Sequence, residues 1–206
     1  KDWINRSENS NALSKKYVRE IKTNKEEEII ITEEKIINPG VNLLQKNKDT
    51  DWIRIIYESP KTPSRVFEYN LRTKEKKLVK EQIVPSGHDR DNYIVERINC
   101  ESDDGYLVPM TITRHKKTKL DGNANILLYG YGSYGMSMSP SFSSTRLSLI
   151  NRNIIWVTCH VRGGLEKGMA HWKKGKMLNK KNTFKDFISC AKYLIEKKYT
   201  SEKKII

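Results

Sequence analysis

The segment Leu127-Leu128-Tyr129-Gly130-Tyr131-Gly132-Ser133-Tyr134-Gly135 constrains the fold more than any other part of this chain. Ile126 to Tyr129 is a short apolar run with the length of a buried strand. It breaks into glycines, which let a backbone turn sharply and come close to another segment or a ligand. The pattern returns downstream, where Asn153 to His160 is apolar and Arg162-Gly163-Gly164 interrupts it. Two buried parallel strands ending in glycine loops would place a site at the carboxyl edge of one sheet. Gly130 and Gly132 are therefore expected in a loop at the carboxyl end of a parallel strand that starts near Ile126.

The residues around this core divide the chain in two. Residues 1–92 read as β structure, with strand-like runs at Ile29–Thr32, Trp52–Glu58, Arg65–Leu71 and Lys77–Val84. Turn signals separate them at Asn38-Pro39-Gly40, Pro60 to Pro63 and Thr73 to Lys76. Lys1 to Lys16 is polar enough to fray. Short strands at regular spacing suggest a sandwich or a propeller blade. Pro85 to Asn92 reads as a linker. Beyond it, Val95 to Asn99 and Tyr106 to His115 form strand patterns joined by a turn at Asp103-Asp104-Gly105. A basic loop from His115 to Asn125 leads to the strand at 126–131. A short helix near Ser144–Asn151, the strand at 153–160 and a helix over Thr183–Lys197 complete the series. In that last helix Phe184, Phe187, Ile188, Ala191, Tyr193, Leu194 and Ile195 form a stripe at helical spacing. Strand, helix, strand, helix is the pattern of a mostly parallel α/β sheet.

Composition narrows the function. No apolar run approaches the roughly 18 residues of a membrane helix, so no membrane partner is expected. Cys100, Cys159 and Cys190 are widely spaced, with no Cys-x-x-Cys. That argues against a disulfide framework or zinc site and fits a reducing cytoplasm. The net charge of +14 comes from lysines and arginines scattered along the chain, without a basic-aromatic motif. A solvated Lys-rich surface is expected rather than a nucleic-acid partner.

The two glycine segments resemble the oligopeptidase B branch of the prolyl oligopeptidase family of serine peptidases. The resemblance runs on through Phe142 to Leu149, His160-Val161-Arg162-Gly163-Gly164, Gly175-Lys176, Lys180 to Phe187 and Tyr199-Thr200-Ser201. It implies that residues 1–92 are the end of a β-propeller and 93–206 the first half of an α/β-hydrolase peptidase domain. It also implies that the Tyr131 hydroxyl completes an oxyanion hole, since acyl transfer needs donors aimed where that charge develops. Gly130, Gly132, Arg162, Gly163 and Gly164 would support the site loops. The implied reaction cleaves short peptides after Arg or Lys through an acyl-enzyme, without cofactor or metal. Ser139 and Ser141 stand where the family carries acids for a second basic residue, so that preference is not expected here.

In α/β-hydrolases the nucleophile sits on a Gly-x-Ser-x-Gly turn, with the Asp and His after it. No Gly-x-Ser-x-Gly occurs in these residues. Lys203 to Ile206 reads as the start of the strand that would lead into that turn. The chain is thus expected to be a piece of a larger enzyme, inactive alone, with a partner chain or remainder supplying the C-terminal half. Open strand edges are expected near Ile155 and at Lys203–Ile206. The alternatives are an inactive remnant that serves as an interaction module, and a dinucleotide enzyme. The latter rests on Gly130-x-Gly132-x-x-Gly135. It is weakened by a poor helix start over Met136–Ser141 and by the lack of any Asp or Glu between Asp121 and Glu166. His160 is expected to pack at a strand end and His171 to lie in a loop. His88 and His115 show no metal spacing, and Glu166 alone completes no site.

Overall fold

The computed structural model describes residues 3–11, 13–43 and 50–206, without the side chains of residues 42 and 43. The chain forms two compact units. One consists mainly of residues up to Gly87, and the other mainly of His88–Ser139 and Ser143–Ile206.

In the first unit β1 (Trp3–Ser10), β2 (Leu13–Glu20) and β3 (Glu26–Glu28) form a three-stranded sheet. β4 (Asn38–Leu43), β5 (Trp52–Glu58), β6 (Arg65–Asn70) and β7 (Lys76–Glu81) form an antiparallel meander in chain order. A four-stranded antiparallel sheet is the unit from which propeller blades are built. β5 shows why it folds this way: Ile53, Ile55 and Tyr57 are buried while Arg54 between them is exposed. Those three pack with Val18, Ile31, Tyr69 and Leu71. β7 is exposed along its length and carries Lys76, Lys77 and Lys80, which discourages pairing at the open edge.

Three sequence expectations fail in this unit. The polar amino terminus is strand, because β1 pairs with β2; Lys1, Asp2 and Ala12 lie outside the described residues. Ile29–Thr32 is not strand, and pairing stops at Glu28. Asn38-Pro39-Gly40 is not a turn but opens β4. β4 is an edge strand, where a missing proline N–H costs no ladder bond.

In the second unit β8 (Tyr93–Glu101), β9 (Leu107–His115), β10 (Ile126–Gly130) and β11 (Ile155–Cys159) form one sheet in the order β10-β11-β9-β8. The expectation of a mostly parallel sheet is corrected. β10 and β11 pair in parallel, but the β8–β9 hairpin docks antiparallel against β11. β11 is therefore internal, with Ile155 fully buried, and the open edge expected there does not exist. Ile205 instead bridges to Ile126 in parallel on the outer side of β10. The strand expected at Lys203–Ile206 is limited to this pairing, since Glu202–Lys204 is a 3-10 turn.

Helices cover both faces. Ile155, Val157 and Cys159 share a core with Cys190 and Leu194 of α3 (Lys181–Glu196). Between them Trp156 faces the other way and meets Arg146 of α1 (Ser144–Ile150), 4.9 Å from its ring. α2 (Met169–Lys173) carries His171, which the sequence placed in a loop. No helix of the described residues is long and apolar enough to cross a membrane.

Candidate active site

β10 and β11 end side by side, with Gly130 opposite Cys159. The loops that follow pack on each other, and the glycines decide how closely. Gly132 has φ +61°, and a Cβ there would lie 2.6 Å from Val161 and from Thr183. Gly163 has φ +105°, and a Cβ there would overlap the Gly132 carbonyl. The Gly135 N–H donates to Gly163 O at 3.1 Å, which ties one loop to the other. Gly130 backs onto the Phe187 ring of α3, and Gly164 onto Glu166.

Tyr131 follows Gly130 directly, at the carboxyl end of the parallel strand. It is 40% exposed, and its ring lies 6.5 Å from that of Tyr134. Its loop is held from behind at two further points. The Lys180 ammonium donates to Gly132 O and, at 2.8 Å, to Ser133 Oγ. The Met138 N–H donates to Glu166 Oε1 at 3.0 Å.

The second loop is fixed by Arg162, which is 2% exposed. Its guanidinium donates to Asp186 on α3 at 2.6–3.1 Å and to Asp104 in the β8–β9 turn at 2.6 and 3.1 Å. Its main-chain N–H donates to Asp186 Oδ2 at 2.9 Å. Burial alone would lower the guanidinium pKa, but the bonds to Asp186 and Asp104 outweigh it and raise it. The same pairing holds the Asp104 carboxyl below its usual range. Thr183 Oγ donates to Arg162 O at 2.6 Å. Arg162 thus ties the second loop to α3 and to the β8–β9 turn.

Behind both loops lie Glu166, His160 and His171, all nearly inaccessible. His160 Nδ1 is 3.7 Å from Glu166 Oε1, and its Nε2 bonds Thr111 at 2.8 Å. His171 Nε2 faces Val161 O at 3.0 Å, so that nitrogen carries the proton and Nδ1 accepts from the Tyr106 hydroxyl. Burial lowers the pKa of both imidazoles. Burial pushes Glu166 upward, but His160 and the Met138 N–H outweigh this and leave its carboxyl below the usual value.

Sequence reasoning named Tyr131, the glycines and Arg162, and it missed Asp104, Asp186, Glu166 and Lys180 as their partners. One signal was available. Asp186 is a carboxylate on the buried side of an amphipathic helix, where an unpaired charge is not tolerated. An open cleft of about 410 Å³ lies beside the Arg162 cluster, lined by Asp104, Tyr106, Arg162 and Lys174 among others, and Tyr131 is not part of it.

Parallel strands ending in interlocked glycine loops, with helices on both faces, define an α/β protein, a class in which ligands bind in the crevice at the carboxyl ends of the strands. Residues 140–206 match the sequence profile of the prolyl oligopeptidase family. Dipeptidyl aminopeptidase BI of Pseudoxanthomonas mexicana is 37% identical over 200 residues, covering 97% of this chain and 27% of that protein. Protease 2 of Moraxella lacunata is 41% identical over 163 residues, covering 79% of this chain and 24% of its own length. Among solved structures, oligopeptidase B from Trypanosoma brucei superposes with a TM-score of 0.89 at 30% identity, covering 99% of this chain and 30% of that one. Oligopeptidase B from Leishmania major superposes with a TM-score of 0.86 at 30% identity, covering 99% of this chain and 30% of that one. The chain belongs to the prolyl oligopeptidase family, in its oligopeptidase B branch. It spans about a quarter of the length of these curated relatives, 27% and 24%.

A dinucleotide site is not supported. That fingerprint needs a helix opening at its last glycine to hold the pyrophosphate. After Gly135 the chain stays non-helical until α1 begins at Ser144.

Proposed function

We propose that these residues belong to a serine oligopeptidase that cleaves short peptides after Arg or Lys. The second unit would be the first half of its α/β-hydrolase domain, and the first unit would be propeller blade. The placement of Tyr131 carries this proposal: an exposed phenol sits on a clamped loop at the carboxyl end of a parallel strand. In the complete enzyme a serine attacks the peptide carbonyl, and the Tyr131 hydroxyl donates to the oxyanion as it forms. The N–H after the nucleophile supplies the other donor. The serine then carries the acyl group until water releases it. This chemistry calls for no cofactor. Ser139 and Ser141 put no carboxylate beside the glycine loop, so a second basic residue gains little. The three reduced thiols favour a cytoplasmic setting.

The test uses the full gene product that contains these residues, with fluorogenic amides bearing Arg, Lys, Pro or Ala before the scissile bond. Turnover confined to Arg and Lys is expected. Tyr131→Phe should lower kcat by about 10²–10³-fold with KM little changed. A near-normal kcat, or a loss confined to KM, removes Tyr131 from the oxyanion hole. A second possibility is a catalytically silent interaction module. A full-length product that takes up no fluorophosphonate would establish it. Residues 1–206 by themselves should take up no probe and turn over no arginyl amide. Stoichiometric labelling of a serine within them would overturn the placement of the nucleophile.

A further inference from the structure

Two lysines, Lys180 and Lys181, stand at the amino terminus of α3, a 16-residue helix with no acidic residue in its first turn. Cations there run against the helix dipole, so they are not placed for helix stability. Lys180 is also partly buried, which lowers its pKa. Desolvating an ammonium is unfavourable unless hydrogen bonds compensate. Its bonds are specific: Gly132 O and Ser133 Oγ, the two residues after Tyr131. The Tyr131 loop needs such an anchor. Tyr134 has a positive φ of 53°, which is unfavourable for a bulky non-glycine residue and must be held by the surrounding structure.

We infer that Lys180 is a positioning residue for the oxyanion donor. Its ammonium fixes the Gly132 carbonyl and Ser133 hydroxyl, and thereby holds the Tyr131 phenol at the distance the reaction needs. This rests on the oxyanion role proposed for Tyr131. Placement errors of about 1 Å can cost about 10²-fold in rate without touching the reacting atoms. A positioning role therefore predicts a loss in kcat that disappears once the tyrosine hydroxyl is gone.

The experiment compares full-length Tyr131→Phe, Lys180→Met, Lys180→Gln, the Lys180→Met/Tyr131→Phe double variant and Lys181→Met on one arginyl amide. Lys180→Met should lower kcat by about 10- to 100-fold, with KM within about twofold. Lys180→Gln retains a donor and should fall in between. The double variant should be no slower than Tyr131→Phe alone. Lys181→Met removes the same charge from the same helix end and should leave kcat unchanged. Thermal melts establish that each variant is folded. If Tyr131→Phe keeps its kcat, the oxyanion role fails first and the inference falls with it. If Tyr131→Phe is slow but Lys180→Met is normal, only the positioning role fails. Additive losses, a loss confined to KM, or an equal loss in Lys181→Met overturn it as well. Should Lys180→Met fail to fold, Lys180→Gln and its double with Tyr131→Phe decide the question by the same criteria.

Discussion

Removing Asp186 should destabilise the second unit far more than removing Asp104, although both carboxylates bind the same guanidinium. Asp186 is inaccessible, Arg162 is 2% exposed, and the Asp104 side chain is 48% exposed. In Asp186→Ala the buried guanidinium keeps only a partner that water already screens. The Arg162 main-chain N–H also loses its acceptor. Breaking a buried ion pair from one side costs about 3–5 kcal/mol. Asp104→Ala leaves the Arg162–Asp186 pair intact and removes a half-exposed bridge, which is worth about 1 kcal/mol or less. Hydrogen exchange of the α3 amides reads the second unit separately from the first. Where exchange follows unfolding, Asp186→Ala should speed it by about 10²- to 10⁴-fold and Asp104→Ala by less than about tenfold. Arg162→Met combined with Asp186→Leu should restore much of the protection, because the loss comes from the stranded charge and not from the missing pair. Equal effects of the two aspartate variants, or a cost below about 1 kcal/mol for Asp186→Ala, would refute this reasoning.

The buried histidines predict acid sensitivity. Burial lowers the pKa of His160 and His171 from 6.5, so below that pH the unfolded chain binds protons that the folded one refuses. Glu166 acts in the same direction, its folded pKa being depressed, so stability present near neutral pH should fall as pH drops below about 6.5 and on through the carboxylate range. Urea midpoints measured from pH 8 to pH 4 check this, and a flat profile would count against the buried cluster. Gly163→Ala should prevent the two loops from closing, since φ is +105° and the new methyl overlaps the Gly132 carbonyl; a loss above about 3 kcal/mol is expected in urea titration. Contact with Cys190 and burial raise the Cys100 thiol pKa, and at Cys190 the Cys159 contact and burial outweigh the opposing effect of Cys100. Cys100 and Cys190 should therefore resist an aromatic disulfide reagent at pH 8 until the protein is unfolded, and Cys159 should resist it because it is buried.

Several elements were legible because their signal is local. β5 matches its sequence reading residue for residue, since alternation of buried and exposed side chains is written within the strand itself. The strand ending at Gly130 and the helices near Ser144 and through Leu194 form where apolar spacing and breakers put them, but the stripe expected on the last helix is only partly buried: Phe184 and Ile188 are exposed, and Thr183, Asp186, Ser189 and Cys190 are buried with Leu194. The glycine-broken apolar strand before Tyr131 is readable without knowing what it packs against, whereas the role expected of Tyr131 came from the family resemblance. Local patterns failed where one side chain type serves two structures. Pro39-Gly40 looks like a turn anywhere except on an edge strand, and Ile29–Thr32 looks like a strand although the ladder among the described residues ends at Glu28.

What the sequence determined by itself was the list of segments and the chemistry they carry: buried strands, glycine loops, an amphipathic helix and a phenol beside them. Tertiary structure alone decided which segments became neighbours. The β8–β9 hairpin docks on β11 and makes the sheet mixed, which no property of β11 announces. Arg162 reaches Asp186 across 24 positions and Asp104 across 58, and Lys180 reaches the Tyr131 loop across 48. The physical reason is that charge and hydrogen-bonding capacity are properties of a residue, whereas their satisfaction depends on distance. Burial then forces each such group to take whatever partner the fold has brought within about 3 Å.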